Sequence, residues 1–416
     1  MNQEHYPLGQ YDTVGNTPKF MLAHCIRQSR FGDPETALAV EKVPVPAELK
    51  PNEVLVYVMA AGVNYNVTWA SRGIPVDVIA FCNKNGEPEE HFIPGSDGAG
   101  VVWKVGSAVK NVRVGDEVVI HACKYDPEEP HIKNGKDPGF AASLRMWGYE
   151  SNHGSLAQFT RVQDHQCLPK PKHLSWVSAA SYMVSGATAY RMLHGWTGNT
   201  VQKDDPVLIW GGSGGLGSMA IQIASVAGAK PVAVVSSQEK YEYCRNLGAV
   251  GVINRLEFDH WGPLPYWKDL EKYQGWLKGA KKFGQAFWKA LGEKKNPMIV
   301  FEHPGEDTLP TSILVVERGG MVVVCAGTSG FQGTLDLRYH WMRQKRLQGS
   351  HFANDEQCAA FTQLVADGKI DPCLSRVFPF EETAKCHQLV TDNQHPPGNM
   401  GVLINARSVE QRTLNG

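Results

Sequence analysis

Residues 206–224 read PVLIWGGSGGLGSMAIQIA. An apolar run enters Gly212-x-Gly214-x-x-Gly217, and a second apolar run leaves it with helical spacing. A strand followed directly by a helix is the context in which such a loop binds a dinucleotide. The glycines permit a tight turn and a close approach of backbone to pyrophosphate, while the helix N-terminus presents free N–H groups and a positive dipole end. The loop and the opening of its helix, Gly212, Ser213, Gly214, Gly215, Leu216 and Gly217, are therefore the expected pyrophosphate site. A tight turn holding no ligand is the ordinary alternative for a lone glycine motif.

The next strand, KPVAVVSS (230–237), ends on Ser236 and Ser237, with Lys240 close behind. Sites for NAD usually place an acid there, roughly 20 residues past the glycines, to bind the ribose 2′-hydroxyl. The nearest acid, Glu239, completes a Ser236-x-x-Glu239 capping-box pattern and reads as a helix cap. Two hydroxyls and a lysine suit a 2′-phosphate, so the expected cofactor is NADPH; a plain surface lysine is the alternative for Lys240.

Further along, AVGVIN (249–254), PMIVFEHPG (297–305) and GGMVVVCAG (319–327) continue a strand–helix alternation, the mark of a parallel sheet. Residues 255–296, rich in Trp, Lys, Phe and Gly, are too long for an ordinary loop and read as a helical insertion. The first third has another character. EVLVYVMAAGV (53–63), GAGVVWKVG (98–106) and DEVVIHAC (116–123) read as half-buried strands broken by turns, an antiparallel, barrel-like domain. The tail, SRVFPFEET to GNMGVLIN, reads as more short strand returning to that domain. The expected organisation is α/β: a β-rich domain over 1–185 completed by 373–416, and a doubly wound cofactor domain over 186–372.

The 416 residues are 42% hydrophobic and 20% charged, ordinary for a globular protein, and the net charge of −1 offers no bulk attraction to nucleic acid or an anionic membrane. The first 14 residues have no basic and apolar signal pattern, and no apolar stretch approaches the ~18 residues a membrane span needs. Nine cysteines are scattered singly with no CxxC pair, which predicts reduced thiols in a cytoplasmic enzyme. Zinc needs clustered thiolates and imidazoles. His91, His121 and His153 have no partner at ligand spacing, and no metal is expected.

The segments PGSDGAG (94–100), VGDEV (114–118), GATAYRML (186–193) and GGSGGLG (211–217) resemble the zinc-free quinone/enoyl reductase branch of the medium-chain dehydrogenases. Where zinc-holding relatives carry a GHE-type His, this chain reads Gly95-Ser96-Asp97-Gly98. VNYN (63–66), RMWGYES (145–151), LPKPKHLSW (168–176), VFEHPG (300–305), LRYHWMRQKRLQGSHFAN (337–354) and GNMGVLI (398–404) sharpen the resemblance, over nearly the whole chain, to the crotonyl-CoA carboxylase/reductases. That resemblance implies a GroES-like catalytic domain beside a Rossmann NADPH domain, and a homotetramer. It implies reduction of crotonyl-CoA with NADPH and capture of CO2 at C2, giving ethylmalonyl-CoA.

It further implies a CO2 pocket using Asn66, Tyr149, Glu150 and His351, and CoA recognition by Arg338 and Tyr339. These residue types suit the chemistry. Hydrogen-bond donors stabilise charge developing on the CO2 oxygens, a carboxylate can orient and charge a histidine, and excluding water prevents protonation at C2. Tyr149 stands where some members have Phe, a change of little weight if that position acts through its backbone N–H. Each residue also has an ordinary alternative: Asn66 in a turn, Glu150 as a cap, His351 as a satisfied core histidine. Two rival functions accompany this reading, an enoyl-CoA reductase that only protonates C2 and a catalytically idle NADPH-binding protein.

Overall fold

The computed structural model of the protein describes residues 4–416. Residues 1–3, with which the expected first domain begins, lie outside them. The chain divides into two compact units, one formed by 1–184 with 353–416 and the other by 185–352. The return to the first unit thus comes at 352/353, about twenty residues before the expected 372/373. Helix Asp355–Ala366 belongs to the first unit, where Phe361 meets the Tyr182 ring edge-on at 5.8 Å.

In the first unit, strand Glu53–Gly62 is the organiser. It pairs antiparallel with Gly98–Val105, with Phe159–Gln163 and with the tail strand Asn399–Leu403. All ten of its residues are buried, where the alternation in sequence suggests only one buried face. The cause is its central place, since Val54 and Val56 enter one apolar cluster and Val58 and Ala61 another. The expected strand over 116–123 is shorter, Glu117–Ile120, with a separate bridge at Cys123–Lys124.

The second unit carries a six-stranded parallel sheet in the spatial order Gly251–Asn254, Lys230–Val235, Pro206–Ile209, Ile299–Glu302, Met321–Val324, Arg346–Gly349. This is the Rossmann order, in which direction along the sheet reverses beside strand Pro206–Ile209. The order corrects the reading of 255–296 as an insertion. Parallel strands need a crossover, and this segment supplies the one from Gly251–Asn254 to Ile299–Glu302. Its helix, Leu270–Leu291, is capped by the Asp269 side chain and closed by Gly292 at φ 81°. Tyr273, Trp276, Leu277, Ala280, Phe283, Phe287 and Leu291 form its buried stripe at helical spacing. Phe283 stacks on Trp210 with centroids 5.2 Å apart, and Phe287 joins the same core; each contributes roughly 1.5–3 kcal/mol on burial. No helix among the described residues is long and apolar enough to cross a membrane.

Candidate active site

The glycine loop lies at the carboxyl end of strand Pro206–Ile209 and opens helix Gly215–Val226. Three of its glycines each have a steric reason. Gly211 sits at φ 58°, and a side chain there would meet His303 Nε2 at 2.5 Å. A Cβ on Gly212 would lie 2.6 Å from that of Ala233 in the neighbouring strand. One on Gly217 would lie 2.2 Å from the Gly211 carbonyl. Gly214 differs, because a Cβ there meets nothing closer than the Gly211 carbonyl oxygen at 3.6 Å. Its bareness serves no packing within the chain and leaves room for a ligand against the backbone. Gly214 is the helix N-cap and carries no side-chain cap, so the first-turn N–H groups of Gly215, Leu216 and Gly217 have no partner from the helix itself. Ser213 is buried beside them.

At the end of strand Lys230–Val235, Lys240 Nζ donates to Ser236 Oγ at 3.2 Å. Ser237, not Ser236, is the N-cap of the short turn Gln238–Lys240, and it makes no side-chain cap bond. The expected Ser236–Glu239 capping box is therefore absent, and the hydroxyls of Ser236 and Ser237 are not spent on a cap. This set fits a dinucleotide carrying a 2′-phosphate.

Deeper in the second unit, burial pushes the Glu302 carboxyl up to about 7, although Ser312, Thr308 and the Gly305 amide all donate to it. Arg338 forks onto Asp336, with its closest contact at 2.6 Å, and the Tyr273 hydroxyl donates to the same carboxylate. The crossover helix thereby holds the Arg338 segment. Arg338 remains half exposed, while Tyr339 packs against the sheet and crossover-helix clusters. His351 is exposed just past the edge strand Arg346–Gly349, at the end of the sheet where parallel strands place their ligands. It is not the buried core histidine that its apolar surroundings in sequence allow.

The remaining expected residues belong to the first unit. Asn66 lies in the first turn of helix Tyr65–Arg72 with Nδ2 2.6 Å from Ser96 Oγ, and its Oδ1 is buried with no partner. Next to it, Asn64 donates to Asp97 Oδ2 at 2.8 Å and the Val184 amide donates to Oδ1 at 2.7 Å. Complete burial pushes Asp97 up to about 7. Tyr149 is half-buried against the core cluster that contains Val67, and burial, with the charge of Glu150, raises its phenol to about 12. The Tyr149 amide donates to the Met146 carbonyl at 3.1 Å, and Glu150 accepts the Met146 amide through Oε2 at 2.9 Å. The Tyr149 N–H is therefore engaged by the chain, and Glu150 has the capping contact its position allows.

One constellation has no signal in sequence spacing. His121 Nε2 and His165 Nδ1 approach Asp355 Oδ1 at 3.1 and 2.9 Å, and the Tyr125 hydroxyl donates to Oδ2 at 2.6 Å. The three ligand-type atoms lie within 4.8 Å of one another, so a cation site is the obvious reading. Hydrogen-bond direction opposes it. The Cys123 amide donates to His121 Nδ1 at 3.3 Å, which places the ring hydrogen on Nε2, where a metal requires a lone pair. The cluster is a clamp on the first residue of helix Asp355–Ala366. Burial raises the Asp355 carboxyl, but the hydrogen bonds from His121 and His165 outweigh it and hold the group well below the usual range.

Residues 50–172 match the alcohol dehydrogenase GroES-like domain, and residues 215–367 match the zinc-binding dehydrogenase family. The segment Gly95–Gly98 does not fit the ion in that family's name, since Ser96 is engaged with Asn66 and Asp97 with Asn64 and Val184. A crotonyl-CoA carboxylase/reductase of Cereibacter sphaeroides is 50% identical over 98% of this chain and 93% of its own. A crotonyl-CoA reductase of Streptomyces collinus is 42% identical over 90% and 83%. Among solved structures, a crotonyl-CoA carboxylase/reductase in complex with NADP is 53% identical, with a TM-score of 0.94 over 98% of this chain and 100% of that one. A 2-octenoyl-CoA carboxylase reductase in complex with NADP and 2-octenoyl-CoA is 36% identical, with a TM-score of 0.87 over 95% and 90%. This chain belongs to the crotonyl-CoA carboxylase/reductase family.

Proposed function

We propose that this chain catalyses the NADPH-dependent reductive carboxylation of an enoyl-CoA, converting crotonyl-CoA and CO2 to ethylmalonyl-CoA. The observation that carries the reading is the 50% identity, over 98% of this chain, to a protein named for that activity. The bare Gly214 and the Lys240–Ser236 pair support NADPH as cofactor, with backbone N–H groups receiving the pyrophosphate and Lys240, Ser236 and Ser237 the 2′-phosphate. NADPH supplies a hydride to the β-carbon of the enoyl thioester.

That addition leaves an enolate whose α-carbon attacks CO2, forming the C–C bond and a carboxylate. The residues proposed to serve carboxylation are Asn66, Tyr149, Glu150 and His351. Donors such as Asn66 and His351 stabilise charge growing on the CO2 oxygens. With its amide occupied by Met146, Tyr149 contributes its ring, which keeps water away. Arg338 and Tyr339 are proposed for CoA recognition, the guanidinium pairing with phosphate.

A second reading, reduction without carboxylation, is favoured by the name crotonyl-CoA reductase carried by two Streptomyces relatives at 42% and 41% identity. NADPH oxidation with crotonyl-CoA, with and without bicarbonate and carbonic anhydrase, separates the two when products are weighed by mass spectrometry. Ethylmalonyl-CoA formed faster with CO2 supports the carboxylase; butyryl-CoA alone supports the reductase. We further propose a cytoplasmic homotetramer. Nine free cysteines suit a reducing compartment, and exposed Phe331, Leu337, Trp341 and Met342 suit subunit contacts. Light scattering on the purified protein tests the assembly.

A further inference from the structure

We propose that Ser96 is the positioning residue that turns the Asn66 carboxamide so that its NH2 group faces CO2. This rests on the carboxylation reading above.

Asn66 Oδ1 is buried without a partner while Nδ2 lies against Ser96 Oγ. The two ends of a carboxamide exchange by a half-turn about its last bond, so two arrangements share this geometry. In one, NH2 donates to Ser96 and a buried acceptor is stranded, at a cost of roughly 1–3 kcal/mol. In the other, the Ser96 hydroxyl donates to Oδ1, and the NH2 takes the place of the stranded atom at a similar cost, which a ligand oxygen accepting from it removes. At 2.6 Å the contact is a hydrogen bond in either arrangement, and the second is the one that presents donors to a CO2 oxygen. The hydroxyl thus fills the acceptor end and leaves two N–H donors for an electron-rich ligand. An acceptor facing CO2 would oppose the charge that develops on its oxygens.

Ser96 is not required to hold the two segments together. Asn64 to Asp97 Oδ2 at 2.8 Å and the Gly62 amide to the Asp97 carbonyl at 3.2 Å tie the same stretches independently. Ser96 is 1% exposed, so solvent offers no substitute for its hydrogen.

The test compares the full-length enzyme with Ser96→Ala, Ser96→Thr, Asn66→Ala and the Ser96→Ala/Asn66→Ala double variant. The ratio of carboxylated to reduced thioester is read per NADPH oxidised, so loss of folded enzyme cancels. Ser96→Ala is expected to lower the ratio about tenfold at limiting CO2, with recovery as CO2 is raised, and Ser96→Thr to restore it. The double variant is expected to match Asn66→Ala, because one residue acts through the other. An unchanged ratio in Ser96→Ala, or additive losses in the double variant, overturns the proposal. If Ser96→Ala does not fold, Ser96→Cys keeps the volume with a poor donor and is read in the same way. An unvaried enzyme that makes only the reduced thioester overturns the carboxylation reading instead.

Discussion

Lys240 Nζ lies 3.2 Å from Ser236 Oγ, just past the end of strand Lys230–Val235. No carboxylate caps that strand, and a 2′-phosphate brings about −1.5 to −2 charge to two hydroxyls and an ammonium. Lys240→Ala is expected to raise the KM for NADPH about tenfold and leave that for NADH nearly unchanged. Ser237→Asp should lower NADPH preference further by repelling the phosphate. Steady-state kinetics with both cofactors check this, and an unaltered preference would place the 2′-phosphate elsewhere.

Gly214 and Gly217 belong to one motif but are required for different reasons. A methyl on Gly217 meets the Gly211 carbonyl at 2.2 Å, so Gly217→Ala should destabilise the second unit by about 1–3 kcal/mol. A methyl on Gly214 has open space, so Gly214→Ala should keep the melting temperature and lose most cofactor affinity. Thermal unfolding beside NADPH titration distinguishes them. A Gly214→Ala protein that binds NADPH normally would remove the loop from the cofactor site.

For the residues proposed to serve CO2, product identity is more informative than rate. Asn66→Leu and His351→Asn should each shift product from ethylmalonyl-CoA toward butyryl-CoA, by about 2–4 kcal/mol of lost stabilisation for an oxyanion-type donor. Mass analysis of the product mixture reads the shift directly. Both products falling together would give these residues a structural role.

Two buried histidines contribute to the acid limb of stability. His24 Nε2–H donates to the Phe380 carbonyl at 2.8 Å and His387 Nδ1–H to the Thr383 carbonyl at 2.9 Å. Burial lowers each from 6.5 to about 4. Between these values the unfolded chain binds protons that the folded chain does not, so stability is full above pH 6.5 and is lost as pH falls toward 4. Each group accounts for roughly 3 kcal/mol across that window. His24→Gln and His387→Asn keep a donor without the titration, and their urea midpoints should fall less steeply between pH 6.5 and 4.5. Slopes equal to that of the parent would assign the acid loss to other groups.

Much of the candidate site is written in short stretches of chain. The glycine loop states its backbone requirement within six residues, and the residues proposed for the 2′-phosphate, Ser236, Ser237 and Lys240, lie within five. Such features depend on local dihedral freedom and on the chemistry of adjacent side chains. The residues 255–296 are a different case. Their helical pattern is visible, but the strand order that makes them a crossover depends on pairing between Pro206–Ile209 and Ile299–Glu302, some ninety positions apart.

What the sequence determined by itself was the glycine-rich strand–loop–helix, the absence of an acid where NAD sites place one, and family membership carried by long motifs. Only the tertiary structure decided that the chain re-enters its first unit at 353 and that His121, His165 and Tyr125 converge on Asp355. It also decided that Ser96 sits against Asn66 and that the Tyr149 amide is already taken by Met146. The physical reason is that backbone preference and periodicity are properties of neighbours in the chain. The partner that satisfies a buried polar group is set by packing, which brings together residues that periodicity cannot relate.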